Sequence, residues 1–411
     1  MRNVFSAVIC IVFSPVVLWA QNGVNSVYSA YGVGDYSLRS PGYFSGMGGA
    51  GVALNSGSTI NLLNPAGLTG IKNDKFIFEF ITSGASVQYV ASEARPNAAD
   101  FGVRGAAFAV NLFKNSATAF SLKRRTVVDY LTLSTKNIDG TESAVLDEIE
   151  GSGGLYEFGV SHGMKIGKHL SIGATAGYLF GPINRMETMY VSESEQVNIE
   201  NNKYYNNFYF SGGMQYQFKT GKSDWTLGAF FEPSVNLKTV EDNTISDASG
   251  NVLVEEKSIY GNFKYPHKWG AGLAWKQNQL QLSADYIQHK WSATNYKGTH
   301  FTSRDADGYS IGAKYSFIRK SIWGNREGVS LFTGFSSEKS YLVINNYNLK
   351  SNAFTLGVSA PSFNMLHNYS AYIKVGSRGV ATYPLVKENF TEFGFIFGLG
   401  GVLQKGGRKY D

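Results

Sequence analysis

The histidines that could carry acid–base or metal chemistry, His162, His267, His289, His300 and His367, are scattered along the chain. His162 falls on the outward phase of its segment, with no nucleophile or carboxylate at a recognisable spacing, and the others sit in connectors or at segment ends. No His-Glu-x-x-His occurs. Cys10 is the sole cysteine and lies in the apolar N-terminal run, so the processed chain is expected to have no disulfide or thiolate ligand. The expectation is therefore no enzyme, catalytic residue, metal or cofactor. Four lysines are better placed for binding. Lys123, Lys276, Lys314 and Lys374 share the inward phase of their segments, where an ammonium could meet the carboxylate of an amphipathic ligand. Glu157, Lys165, Glu232, Asp285 and Glu392 share that phase, so mutual ion pairing is the competing expectation.

The elements that must position these residues are strands. In Tyr309-Ser310-Ile311-Gly312-Ala313-Lys314-Tyr315-Ser316-Phe317 every odd position can face an apolar phase, and every even position is small or polar. Successive strand side chains point to opposite faces, so the segment is two-sided. Leu170–Tyr178, Leu280–Tyr286 and Phe393–Leu399 read alike. Fourteen such stretches occur between Lys75 and Leu403. Tight connectors at Lys114–Ser116, Gly167–Lys168, Lys219–Ser223 and Gln277–Asn278 alternate with long polar ones at Ser134–Gly154, Gly181–Lys203 and Thr239–Asn262. Aromatic residues make up 14% of the chain, and no stretch after the N-terminal run approaches ~20 consecutive apolar residues. These features predict an all-β fold, a 14-stranded antiparallel transmembrane barrel in an outer membrane. Trp225, Trp269, Trp275, Phe208, Phe218 and Tyr286 would form its interfacial girdles.

Four regions follow. Residues 1–20, with Arg2 before an apolar run from Val4 to Leu18, read as a secretory signal. Residues 21–74 are a compact glycine-rich segment suited to plug the lumen as a hatch. Residues 75–403 are the barrel, and 404–411 a basic periplasmic tail. An even strand count puts both chain termini on the periplasmic side. Removing Arg2 with the signal lowers the formal charge from +6 to +5, too little and too dispersed for nucleic-acid binding. The Lys123-Arg124-Arg125 cluster reads as a lumen position or one facing anionic headgroups. Gly46, Gly48 and Gly51 match G-x-G-x-x-G, but no hydrophobic strand precedes them, so a dinucleotide site is not expected.

Gly46-Met47-Gly48-Gly49-Ala50-Gly51-Val52-Ala53, then Asn64-Pro65-Ala66-Gly67-Leu68, then a barrel of this size, resembles the FadL/TodX-like family of long-chain fatty acid and aromatic hydrocarbon transporters. The specific support lies within about Ser37–Gly70. The resemblance implies a luminal hatch, inward movement of hydrophobic molecules and a sideways exit through the wall. It makes Asn64, Pro65, Ala66 and Gly67, with Gly46, Gly48 and Gly51, the candidate hatch and gating residues. Partners would be outer-membrane lipid and a hydrophobic or amphipathic small molecule.

Two features depart from that pattern. The connectors at Thr239–Asn262 and Gly181–Lys203 are too polar for an apolar capture groove, and Ser143–Glu150 offers only a short amphipathic helix with Val145, Leu146 and Ile149 on one face. The competing function is a non-transporting barrel of the same fold, acting as a structural subunit of an outer-membrane secretion, assembly or surface-protein complex. A sealed lumen would favour the subunit; an apolar tunnel to a wall opening would favour uptake.

Overall fold

The structure, a computed structural model, describes residues 26–90, 97–137, 144–191, 195–298, 301–321, 324–362, 366–382 and 385–403. The expected signal at 1–20, with Cys10, and the tail at 404–411 lie outside them, as does His300. Fourteen antiparallel strands close on themselves: β1 (Lys75–Val90), β2 (Asn97–Phe113), β3 (Ser116–Arg124 and Thr126–Asn137), β4 (Ala144–Gly153 and Tyr156–Ile166), β5 (Leu170–Tyr190), β6 (Gln196–Thr220) and β7 (Ser223–Glu232 and Val235–Asp247). They continue as β8 (Val252–Tyr265 and Lys268–Gln277), β9 (Leu280–His289), β10 (Ala306–Ser321), β11 (Gly324–Ile344), β12 (Tyr347–Pro361), β13 (His367–Arg378) and β14 (Lys387–Val402). The seam is β1 on β14, in register from Lys75 opposite Val402 to Val90 opposite Lys387. Closure leaves the wall no sheet edge at that level, the condition for a strand structure in hydrocarbon.

The alternation becomes two surfaces. On β10, Tyr309, Ile311, Tyr315 and Phe317 are exposed, whereas Ser310, Lys314 and Ser316 are buried. Phe120, Phe158, Phe210, Leu227, Phe335, Phe354 and Phe395 continue the outward apolar belt. A surface this apolar has bilayer hydrocarbon as its natural solvent. Of the expected girdle, Trp225 lies near Phe218 (6.5 Å) and Trp275 (6.4 Å), and Trp269 near Tyr286 (5.4 Å).

The long polar connectors are not loops. Much of Ser134–Gly154, Gly181–Lys203 and Thr239–Asn262 continues as paired strand. Ser143–Glu150 belongs mostly to the upper part of β4 instead of forming a helix, with Val145 buried and Leu146 exposed. These stretches lack alternation because water lies on both sides of them. About 9–11 residues cross a bilayer, and β9 has only ten residues. β6 has 25, so roughly 35 Å of it stands beyond the apolar layer at ~3.3 Å per residue and ~40° tilt. The ladders break at Arg125 in β3, Gly154–Leu155 in β4, Pro233–Ser234 in β7 and Pro266–His267 in β8. The two prolines bring no N–H to the ladder. Gly154, at φ 138°, sends its N–H to Pro182 O (2.8 Å).

Residues 26–74 run through the lumen from one rim to the other. Ser26 Oγ donates to Glu388 Oε1 (2.8 Å) at the rim of long connections. Asn111 Nδ2 donates to Ile71 O (2.8 Å) near the rim of tight turns, where Leu403 N meets Asp74 O (2.7 Å). Lys75 and Val402, the two ends of the barrel wall, share one rim. The first described residue lies at the other, because the segment threads the barrel.

Candidate functional site

The luminal segment is built from three 3₁₀ turns, Val27–Ala30, Tyr43–Met47 and Pro65–Gly70. Asn64 caps the third: its Oδ1 accepts the Ala66 N–H (3.1 Å), and Pro65 at the first helical position has its φ preset. Asn64 Nδ2 donates to Val52 O (2.8 Å) and reaches Met214 O and Ala229 O on the wall, both at 3.3 Å. Gly48 adopts φ 67° where the chain lies on the backbone of Phe335. The N–H groups of Gly51 and Val52 point at Asp285 Oδ2 (2.6 and 2.8 Å). Gly67 packs on Leu54 O and Asn61, and Gly46 on the Phe332 ring. The seven expected hatch residues thus all lie in one luminal body pressed on the wall.

The wall meets this body with glycines of its own. A Cβ on Gly163 or Gly173 would strike Pro65, on Gly213 Asn64, on Gly228 or Gly272 Val52, and on Gly312 or Gly334 Met47. This belt on seven strands lets backbone lie on backbone and turns the segment into a fitted layer. Sequence reasoning placed glycines in the segment but missed the matching ones in the wall, although their inward phase was the available signal. It also missed Asn61, which donates to Gly51 O and Leu54 O and accepts from Leu63 and Asn64. Gln215 Nε2, another omission, donates to Val52 O (3.0 Å) and Leu54 O (3.2 Å). Glu79 accepts from Ile60 N (3.2 Å).

Cavities lie on both sides of this layer. The one towards the long connections, about 310 Å³, is lined by charged groups. Arg125 grips Glu232 with two parallel bonds of 2.9 Å and also pairs with Glu157. Lys123 Nζ stands 3.3 Å from Glu157 Oε1 and donates to Ser40 Oγ and Leu62 O of the luminal segment. Arg39 pairs with Glu338, and Arg378 with Asp35 (2.7 Å) and Glu388 (2.7 Å). Lys123 and Arg125 of the Lys123-Arg124-Arg125 cluster therefore turn inward, while Arg124, on the phase of exposed Phe120 and Leu122, donates to Gly153 O (2.6 Å). Lys374 pairs with Glu392 (3.5 Å). Lys276 and Lys314 both pair with Glu327, at 3.2 and 3.1 Å, by the second cavity, about 700 Å³, near the tight turns. All four proposed ligand-contact lysines project inward, and each already has a carboxylate. The exception is one the sequence reading passed over. Lys268 is 6% exposed, lines the charged cavity over the Phe230 ring (5.5 Å) and makes no ion pair among the described residues.

The apolar end of the lumen is occupied by the chain itself. Tyr28, Val33 and Leu38 pack with Leu155, Leu179, Tyr209, Phe230, Trp291 and Tyr341. Trp291 stacks on Tyr341 at 4.3 Å, and Tyr341 OH donates to Gly34 O (3.1 Å). Burial of Val33 and Leu38 contributes about 1.5–3 kcal/mol each to holding the segment there.

The histidines stay apart: His162 bonds Thr118 on the outer face, and His289 is buried against Tyr36 in the lumen. Two Gly-x-Ser-x-Gly strings, Gly159–Gly163 and Gly308–Gly312, lie within β4 and β10. Neither forms the strand-to-helix elbow that exposes a nucleophile. Among the described residues no three His, Cys, Asp or Glu side chains gather as a metal site.

The BamG family model matches residues 1–401. The chain belongs to the BamG family. Solved structures of the same fold include the toluene transporter TbuX of Ralstonia pickettii, 16% identical, with a TM-score of 0.61 over 88% of this chain and 99% of that one. A Pseudomonas aeruginosa FadL homologue matches at 12% identity and a TM-score of 0.59, covering 90% of this chain and 100% of its own. The toluene transporter TodX of P. putida matches at 13% and 0.59, with the same coverages. No curated protein matches the chain. The BamG chain therefore shares the fold of FadL-type hydrocarbon channels, as its glycine-rich and Asn-Pro-Ala-Gly elements suggest.

Proposed function

We propose that this BamG-family barrel resides in an outer membrane as a plugged, non-transporting subunit of a secretion, assembly or surface-protein complex. The observation that carries this reading is the blocked lumen. Its apolar end is taken by Tyr28, Val33 and Leu38, its middle by backbone laid on wall glycines that separates the cavities on either side, and the cavity towards the long connections is lined by paired charges. An apolar solute gains ~25 cal/mol per Å² of surface kept from water, and a cavity lined by Arg39, Lys123, Arg125 and Arg378 offers it little of that. On this reading Asn64, Pro65, Ala66 and Gly67 form a fixed plug end.

Uptake of an amphipathic molecule is the second reading, favoured by a specific feature of the wall. β2 pairs with the lower part of β3 from Gly105 to Phe113, while residues 97–104 have no strand partner on that side among the described residues. The charged cavity includes Arg104 and Arg124 near this break. A ligand entering or leaving there would be anionic at one end, and Lys268, whose charge is not already paired, would receive it.

Gentle detergent extraction of the native protein, with mass spectrometry of co-purifying proteins and bound lipophiles, separates the readings. An empty barrel in stoichiometric company with other outer-membrane proteins supports the subunit. A monomer carrying a defined fatty acid or hydrocarbon overturns it and establishes uptake.

A further inference from the structure

Beyond the apolar layer the wall also opens beside the upper segment of β8. The upper segment of β8, Val252–Tyr265, pairs with the upper segment of β7, and among the described residues no strand pairs with its other edge. The cause is its neighbour: β9 stops at His289, and the chain turns into the 3₁₀ turn Trp291–Thr294. That turn covers only the base of the edge, where Lys264 Nζ reaches Ala293 O (3.3 Å). Above it Val252–Gly261 is exposed without interruption, with Leu253 at 60% and Tyr260 at 78%. These residues stand past the Pro233 and Pro266 breaks, beyond the apolar layer, so lipid does not cover them. Free N–H and C=O groups beside exposed Val252, Leu253, Val254, Ile259 and Tyr260 make a pairing template, which proteins ordinarily cover or blunt.

Charge identifies the occupant. Residues 239–262 carry Glu241, Asp242, Asp247, Glu255 and Glu256 against the single cation Lys257, in a chain of net charge +6. A second copy would bring Glu255 and Glu256 towards their own kind. We propose that Val252–Asn262 is a docking strand, completed by an extended, lysine- or arginine-bearing segment of a different protein that adds to the sheet edge. This inference rests on the subunit reading and names where its partner binds.

The test uses the full chain in its native membrane, with a photoreactive residue at Leu253 or Tyr260. The expected result is an adduct to one protein, mapped to a basic extended segment. Glu255→Lys with Glu256→Lys should lower its yield about tenfold or more, since 1.4 kcal/mol of charge repulsion already gives that factor. Amides of 252–256 should exchange more slowly in the complex than in the separated barrel. Heat-modifiable migration on gels verifies that the charge-reversed chain still folds. Adducts only to lipid or to a second copy, or a complex unchanged by charge reversal, overturn the docking strand. If partners co-purify but these signals are absent, the docking strand fails and the subunit reading stands; if none co-purify, the subunit reading itself fails.

Discussion

The lower and upper halves of β4 to β8 are built from the same strands and obey different rules. In the lower half, Phe208, Phe210, Met214 and Leu227 face outward and Tyr209, Gln215 and Phe230 inward. In the upper half, Asn198 to Lys203 and Thr239 to Ile245 are half-exposed nearly throughout. The difference is the solvent on each face. Lipid outside and a packed segment inside demand alternation, whereas water on both sides demands only a paired backbone. Polar side chains in the lower half are therefore held in defined partnerships, and those above are mostly screened.

The largest expected contrast comes from paired substitutions. Glu157→Gln leaves Lys123 and Arg125 short of a buried counter-charge and should cost about 3–5 kcal/mol. Glu241→Gln, which removes the 3.3 Å upper pair to Lys203, should cost under about 1 kcal/mol. Urea midpoints in detergent or lipid measure both, and equal losses would erase the distinction between the halves.

Next is the fit of the luminal segment. Gly213→Val places a side chain where Asn64 lies, and a cost of about 1–3 kcal/mol is expected from overpacking. The segment should also become cleavable by protease in intact membranes. Replacing 239–262 by a short turn should leave heat-modifiable migration intact, since the lower half closes without it; failure of the shortened chain to insert would show that the upper sheet supports the barrel.

The smallest effect concerns Asp305, in the connector above β9. Partial burial pushes its carboxyl up, but hydrogen bonds from Ser292 Oγ (2.7 Å) and Lys290 Nζ (2.9 Å) outweigh it and hold the group below its ordinary value. A depressed folded value means this stabilisation is present above the unfolded value of ~3.9 and fades as pH falls through the folded one. Trp291 fluorescence should stay constant from neutral pH down to about 4 and change only below it, while Asp305→Asn should show the altered signal at every pH.

Alternation alone located the lower barrel, its count of fourteen and the inward lysines, because a strand between two unlike phases writes its orientation into residue types. Asn64-Pro65-Ala66-Gly67 stood out in the sequence through its resemblance to a known family, and the cap that Asn64 provides became visible only in the structure. The upper strands were misread as loops, since a polar strand with water on both faces carries no periodic signal. Asn61, Gln215 and the wall glycines went unseen because their partners lie in distant strands. Which residues could face lipid and which could not follows from residue type, a property each side chain carries alone. That Arg125 is paired while Lys268 is not, and that β8 ends in an open edge, depends on which strands become neighbours and where each stops.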